Sequence, residues 1–413
     1  MIQERAILHS DMNSFYASVE MMLNPSLKGK AVAVCGSTEN RHGIVLAKSE
    51  LAKKAGVKTG MVNWEARQVC PDLVMVPPQY DQYLKYSRLA HQIYYRYTDL
   101  VEPFGMDECW LDVTGSGVCG TPMQIAEEIR TATREELGLT VSIGVSFNKI
   151  FAKLGSDMKK PDAITSISQK DFKQKVWPLP ASDLIYVGRA TEAKLAGYGI
   201  HTVGQLAAVD PELLRSWFGI NGIKLWHYAN GTDGSRVMQR DFVSPVKSIG
   251  HGITCTADLN NEEEVYRVML ELSQDVGHRL RVHEMKAGGV QISIRGNDLY
   301  GTQYQDRFEM PTRSPKEIAD AARALFSKRY MWNTPVRAVT VRAINLVPQE
   351  QPQQMSIFAD PVRAEKIDRL ETAIEDIRRR FGKRAIMNAT LLGDLKMPGD
   401  GRGEVIMPGL MYQ

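Results

Sequence analysis

Long apolar runs are missing from this chain. No stretch approaches the ~18 residues needed to span a bilayer, so no membrane helix is predicted. Cysteine is scarce: five in 413 residues (Cys35, Cys70, Cys109, Cys119 and Cys255), scattered and without a C-x-x-C pair. That argues against a disulfide framework and a structural zinc site of the usual spacing. The opening MIQERAILHSDMNSF lacks a basic segment followed by an apolar one, so no secretory signal is read there. There is no G-x-x-x-x-G-K-[ST] loop, which argues against an ATPase motor, and no repeat of solenoid length. An excess of one charge is absent too: 51 Lys+Arg stand against 48 Asp+Glu, a net charge of +3. Such a balance leaves the partner open, because an even total can hide a basic groove beside acidic faces. These absences predict a soluble, reduced, cytoplasmic protein without a membrane partner.

What is present is ordinary globular composition, 43% apolar and 24% charged, in a length that suits two to four domains at roughly 150 residues each. Ala6–Ser10 reads as a buried strand delivering Asp11, and Phe15–Met22 as a helix stopped by Asn24-Pro25. Lys30–Cys35 and Gly43–Ala47 read as strands around a turn, and Tyr83–Tyr97 as an amphipathic helix. Val101–Phe104 and Cys109–Val113 flank a turn carrying Gly105-Met106-Asp107-Glu108, followed by a helix at Met123–Glu136 and a strand at Thr140–Ser146. This alternation suits a ferredoxin-like α+β layer. Glycine-bearing turns join short helices between 190 and 222, and a patternless Gly/Ser/Arg stretch, 231–245, reads as a linker. From 247 to 347 a second α+β unit is expected, with strands near Gly289–Arg295, Tyr304–Met310 and Ala338–Leu346. Its helices fall near Glu262–Arg281 and Pro315–Lys328. A Gln/Pro-rich connection and a charged helix, Ala364–Arg380, precede a tail expected to fray.

The strongest chemical pattern is Asp11 at a strand end together with the vicinal pair Asp107-Glu108. Hard divalent cations want several carboxylate oxygens converging on one spot. Two such ions about 3.5–4 Å apart can activate a hydroxyl and stabilise a leaving pyrophosphate. Taken singly, Asp11 is equally readable as a helix N-cap and Asp107-Glu108 as a polar turn. Taken together, they sit in a recognisable set. Asp11–Glu20 (DMNSFYASVE), Gly105–Val113 (GMDECWLDV) and Val141–Leu154 (VSIGVSFNKIFAKL), the last followed by Ser156–Pro161 (SDMKKP), resemble in order and spacing the three motifs of Y-family DNA polymerases. The likeness extends over essentially the whole chain and is strongest to the bacterial DNA polymerase IV branch with its Gram-positive damage-repair relatives.

The resemblance implies a right-hand polymerase: palm (1–29 and 76–170), small fingers (30–75), a helix-hairpin-helix thumb (171–234), a linker (235–246), an α+β little finger (247–347) and a tail (348–413). It implies translesion synthesis at low fidelity by a monomer, on primer-template DNA with deoxynucleoside triphosphates. Asp11, Asp107, Glu108 and the Met12 carbonyl would hold two Mg²⁺ ions, for which Mn²⁺ can substitute. Phe15, Tyr16, Lys53 and Lys160 would bind the nucleotide. Tyr16, five residues after Asp11, would be the steric gate that leaves no room for a 2′-hydroxyl. Three departures stand out: Asn13 where the family often has a further acid, and Glu50 and Lys53 where it has a Tyr and an Arg at the phosphates. Lys53 keeps the charge without the bidentate fork, and Glu50 is expected to point away. Arg295 and Arg342 are candidates for template-phosphate contact. Gln354, Ser356, Ile357 and Phe358, within QMSIF, resemble the sliding-clamp pentapeptide, an extended segment with apolar anchors. Two other classes compete with this reading. A nucleotide cyclase-like enzyme would use the same acidic layer without a template, and a polymerase-derived scaffold would bind DNA or clamp without catalysis.

Overall fold

A computed structural model describes residues 4–41, 43–352 and 361–398. They fall into two compact units, one of residues up to 36 with 44–243, the other of 37–43 with 244 onward.

The first unit runs β1 (Ile7–Met12), α1 (Phe15–Leu23), β2 (Val32–Cys35), β3 (Val45–Lys48), α2 (Glu50–Lys54), α3 (Asn63–Val69) and β4 (Val74–Val76). It continues with α4 (Tyr80–Tyr94), β5 (Val101–Pro103), β6 (Glu108–Asp112), α5 (Pro122–Leu137), β7 (Val141–Ser146), α6 (Lys149–Met158) and β8 (Ile164–Ile167). Five short helices close it: α7 (Phe172–Val176), α8 (Arg189–Gly197), α9 (Val203–Ala208), α10 (Pro211–Phe218) and α11 (Ile220–Ala229). The main sheet has the order β5-β6-β1-β7-β8, antiparallel except for the β7–β8 pair. Strand alternation sorts its residues by face. Leu8, Met12, Leu111 and Ile143 join a core with α1, α4 and α5, whereas Ile7 and Trp110 pack on Ala152 of α6.

β3-β2-β4 form a small sheet around Ala33, Val45, Ala52 and Ala66, with β4 parallel to β2. α8–α11 gather Leu195, Leu206, Leu214 and Leu225 into a separate helical core that also takes in Phe151 of α6. The stretch read as a linker is tethered at its start: Val237 is buried with Ile7 and Trp110, and Met238 N–H donates to Glu102.

The second unit runs β9 (Ile249–Leu259), α12 (Glu262–Val282), β10 (Met285–Gly296), β11 (Gly301–Thr312), α13 (Pro315–Arg329), β12 (Val336–Pro348) and α14 (Pro361–Phe381). Its antiparallel sheet has the order β11-β10-β12-β9, with α12 and α13 on one face. β9 is absent from the sequence reading because Gly250 and Gly252 weaken its strand signal. They are small because Arg342 and Thr340 lie against them: a Cβ would come within 3.0 Å and 2.2 Å of those side chains. The expected fraying tail is also corrected, as far as residue 398. Leu391 is buried against Tyr266 and Leu270, and Arg267 donates to Thr390 O and Leu392 O. The charged helix before it is docked as well: Arg313 grips Asp368 of α14 with two 2.7 Å hydrogen bonds, and Arg378 donates to Gln274. No helix among the described residues is long and apolar enough to cross a membrane.

The close packing of α6 on the main sheet turns on Gly144. A Cβ there would lie 1.9 Å from Ala152 O and 2.6 Å from Ser156 N, whereas one at helical Gly197 would meet nothing within 4 Å. Gly144→Ala is expected to cost about 3 kcal/mol by overpacking. Gly197→Ala should not destabilise the chain, and thermal unfolding of the two variants checks the contrast.

Candidate active site

The site is assembled by register. β1 and β6 pair antiparallel with Asp11 opposite Glu108 and His9 opposite Trp110, which brings the two acidic residues to about 5 Å between Cα atoms. Asp107 joins them at the strand end, where its carbonyl accepts the Met12 N–H at 2.9 Å. Asp11 lies within β1 rather than after its end, and is 5% exposed.

Three carboxylates so close repel, and α6 and the turn after it answer with cations. Lys153 Nζ lies 2.9 Å from Glu108 and 3.2 Å from Asp11, and Lys160 Nζ lies 2.8 Å from Asp11. Asp157 pairs with both lysines, at 3.2 and 2.8 Å. Burial disfavours the charge on either lysine, but the acids around them outweigh it and raise both. Burial also pushes Glu108 up, but the His9 ring and Lys153 outweigh it and hold the carboxyl well below the usual carboxylate range. Asp107 goes the other way, pushed up to about 7 by burial and then by Asp11 and Glu108. His9 is fully buried, with its pKa lowered chiefly by that burial, and its Nδ1 is 2.9 Å from Ser156 Oγ.

Among the described residues no three acid, His or Cys side chains form a finished metal cage; ammonium groups stand among the acids instead. The donor set nevertheless fits a hard divalent cation. It is all oxygen, it carries excess negative charge, and Glu108 Oε2 is buried without an aligned hydrogen bond despite its ion pair. Lys153, His9 and Asp157 escaped the sequence reading. The i, i+4 spacing of Lys153 and Asp157 and the shared strand face of His9 and Asp11 were the available signals.

Tyr16 is the second residue of α1, beside this cluster. Its ring stacks on Tyr83 at 4.2 Å and 8°, Tyr80 meets it edge-on, and its hydroxyl reaches the Met106 sulfur at 3.4 Å. Tyr83 is fully buried and donates to the buried Glu20, which also accepts from Gln79. Phe15 is 3% exposed and its side chain packs in the core. One expectation needs correcting. Glu50 does not point away: it accepts the Ser14 hydroxyl at 3.0 Å, while Lys53 stays exposed and 4.0 Å from Glu50. In the second unit Arg295 and Arg342 are exposed on the sheet face away from α12 and α13. Gln354, Ser356, Ile357 and Phe358 lie outside the described residues.

Comparison with known proteins bears on this geometry. Residues 10–157 match the impB/mucB/samB family model and residues 246–357 that family's C-terminal domain. The chain is 47% identical to DNA polymerase IV of Acetivibrio thermocellus, over 95% of this chain and 98% of that one. It is 38% identical to DNA polymerase IV 1 of Bacillus subtilis, over 94% of each. Its fold is similar to the solved Y-family DNA polymerase chimera Dbh-Dpo4(243-245)-Dbh, with a TM-score of 0.73 and 22% identity over 83% of this chain and 99% of that one.

The raised Asp107 pKa has a consequence for stability. Between about pH 4 and its folded-state value of about 7, the folded chain keeps a proton that the unfolded chain has released. Stability therefore falls as pH rises through that window. In metal-free buffer at pH 8, Asp107→Asn is expected to raise Tm by about 4 °C, an advantage that vanishes by pH 4. A variant no more stable than its parent at pH 8 would contradict this electrostatic account.

Proposed function

The chain belongs to the impB/mucB/samB family of Y-family DNA polymerases, and from that membership and its acidic cluster we propose a template-directed translesion DNA polymerase. The reading is carried by one observation: the β1–β6 register sets Asp11 opposite Glu108 with Asp107 beside them. In this reading those three residues and the Met12 carbonyl hold two Mg²⁺ ions, with Mn²⁺ able to substitute. When bound, the ions would activate the primer 3′-hydroxyl and neutralise charge on the α-phosphate and the departing pyrophosphate.

The remaining work is positioning and electrostatics from the chain itself. Lys160, on a flexible stem beside Asp11, supplies a point charge to the triphosphate. Lys53 is exposed and available for a second phosphate contact, and the Phe15 backbone lines the same turn. Tyr16, held from behind by Tyr83, presents a ring under the sugar and excludes ribonucleotides. Arg295 and Arg342, both exposed, would follow template phosphates, with the salt dependence that implies. Residues 354–358 dock on the sliding clamp, and the enzyme works as a cytoplasmic monomer that inserts opposite damaged bases at low fidelity.

Primer extension tests the reading. Asp107→Ala should lower extension at least about 10²-fold; extension equal to the parent's, or cyclic nucleotide formation in place of extension, would overturn it. Tyr16→Ala should relax discrimination against ribonucleotides by about 10²-fold. Deleting residues 354–358 should abolish clamp-stimulated synthesis and spare basal synthesis, and equal loss of both would contradict the tether.

A further inference from the structure

Asn13 stands two residues after Asp11, and its side chain is spent on structure that reaches Lys160. It is 5% exposed. Its N–H donates to Thr140 O at 2.9 Å, its Nδ2 donates to Ser142 Oγ at 2.9 Å, and its Oδ1 accepts the Asp162 N–H at 2.9 Å. The amide therefore uses both ends, with β7 on one side and the turn after α6 on the other. That turn carries Lys160, and Asp162 sits in it at φ +54°, a left-handed conformation that a non-glycine residue keeps only when its surroundings impose it. Two grips impose it. From α5, Arg130 and Arg134 each reach the Asp162 carboxylate at 3.1 Å. From the site, the Asn13 amide holds its backbone. Lys160 is two residues before that held peptide, and its Nζ reaches Asp11 at 2.8 Å.

We propose that Asn13 is a positioning residue that sets the reach of Lys160 onto the triphosphate, acting through the 160–162 turn and not as a ligand of any ion. The inference rests on the polymerase reading above and deepens it. Losing the amide leaves the Asp162 N–H and the Ser142 hydroxyl without their partner. The turn then keeps only its outer grip and the ammonium no longer arrives at a defined place. Nucleotide affinity falls, while the acids that carry the chemistry stay where the β1–β6 register put them.

The test is single-turnover insertion of one deoxynucleotide by the full chain, with the nucleotide Kd separated from the maximal rate. Asn13→Ala should raise Kd about tenfold and change the maximal rate less than about threefold. Lys160→Ala should raise Kd as well, and the Asn13→Ala/Lys160→Ala double variant should be no weaker than Lys160→Ala alone. Ser142→Ala removes one leg of the amide's support and should raise Kd in the same direction by a smaller factor, which keeps the test open if Asn13→Ala does not fold. An Asn13→Ala or Ser142→Ala Kd equal to the parent's would overturn the proposal, as would multiplicative losses in the double variant or a loss confined to the maximal rate. A merely structural role would reduce the active fraction, seen as amplitude, and leave Kd unmoved. A parent chain that does not extend primers would instead sink the polymerase reading.

Discussion

Two acidic residues facing each other across an antiparallel pair oppose folding, because like charges directly opposite repel and burial denies them water. Asp11 and Glu108 do this here, with Asp107 adjoining. The surrounding architecture reads as an answer to that repulsion. α6 lies close on the sheet because Gly144 has no side chain, and so Lys153 and Lys160 arrive between the carboxylates. Asp107 absorbs part of the strain by holding its proton to unusually high pH. Lys153 and Lys160 thus balance only part of the charge that Asp11, Glu108 and Asp157 bring together.

The turn that follows β1 draws on the same elements. Where β1 ends, the chain turns through Asn13 and left-handed Ser14 into α1. Each residue of this turn has a partner in a different element: Ser142 of β7 and the Asp162 peptide for Asn13, Glu50 of α2 for Ser14, and Tyr83 of α4 for Tyr16. Six residues of backbone, 11–16, therefore tie Asp11 and Tyr16 to β7, α2, α4 and the turn that carries Lys160. Substitutions in α2 or α4 can reach this turn without lying in it.

Much of this was legible in the sequence, and the failures have physical causes. Asp11, Asp107 and Glu108 stand in motifs whose order survives without a structure, and Tyr16 follows from its offset to Asp11. The long amphipathic helices and the strands around Asp107 were read to within a few residues. What escaped depends on neighbours remote along the chain. Lys153 looks like one charge among many until α6 is laid on β1. Glu50 was expected to turn away from phosphate, but the Ser14 hydroxyl gives its carboxylate a partner. Phe15 and Tyr16 are adjacent and aromatic, yet the helix buries Phe15 in the core and leaves Tyr16 partly exposed against Tyr83 and Met106. β4 and β8 are three and four residues long and paired in parallel, too short to carry a period. α14 packs through Asp368 and Arg378 rather than through an apolar stripe, so its hydropathy announced no docking.

The central claim is that these three acids are one cation-binding unit. It is tested most directly by counting Mn²⁺ bound per chain, by electron paramagnetic resonance, with primer-template DNA and a non-hydrolysable deoxynucleotide present. Two ions for the parent, and fewer for Asp11→Asn at unchanged thermal stability, are the predicted result. An Asp11→Asn chain that binds as many ions as its parent would contradict the account.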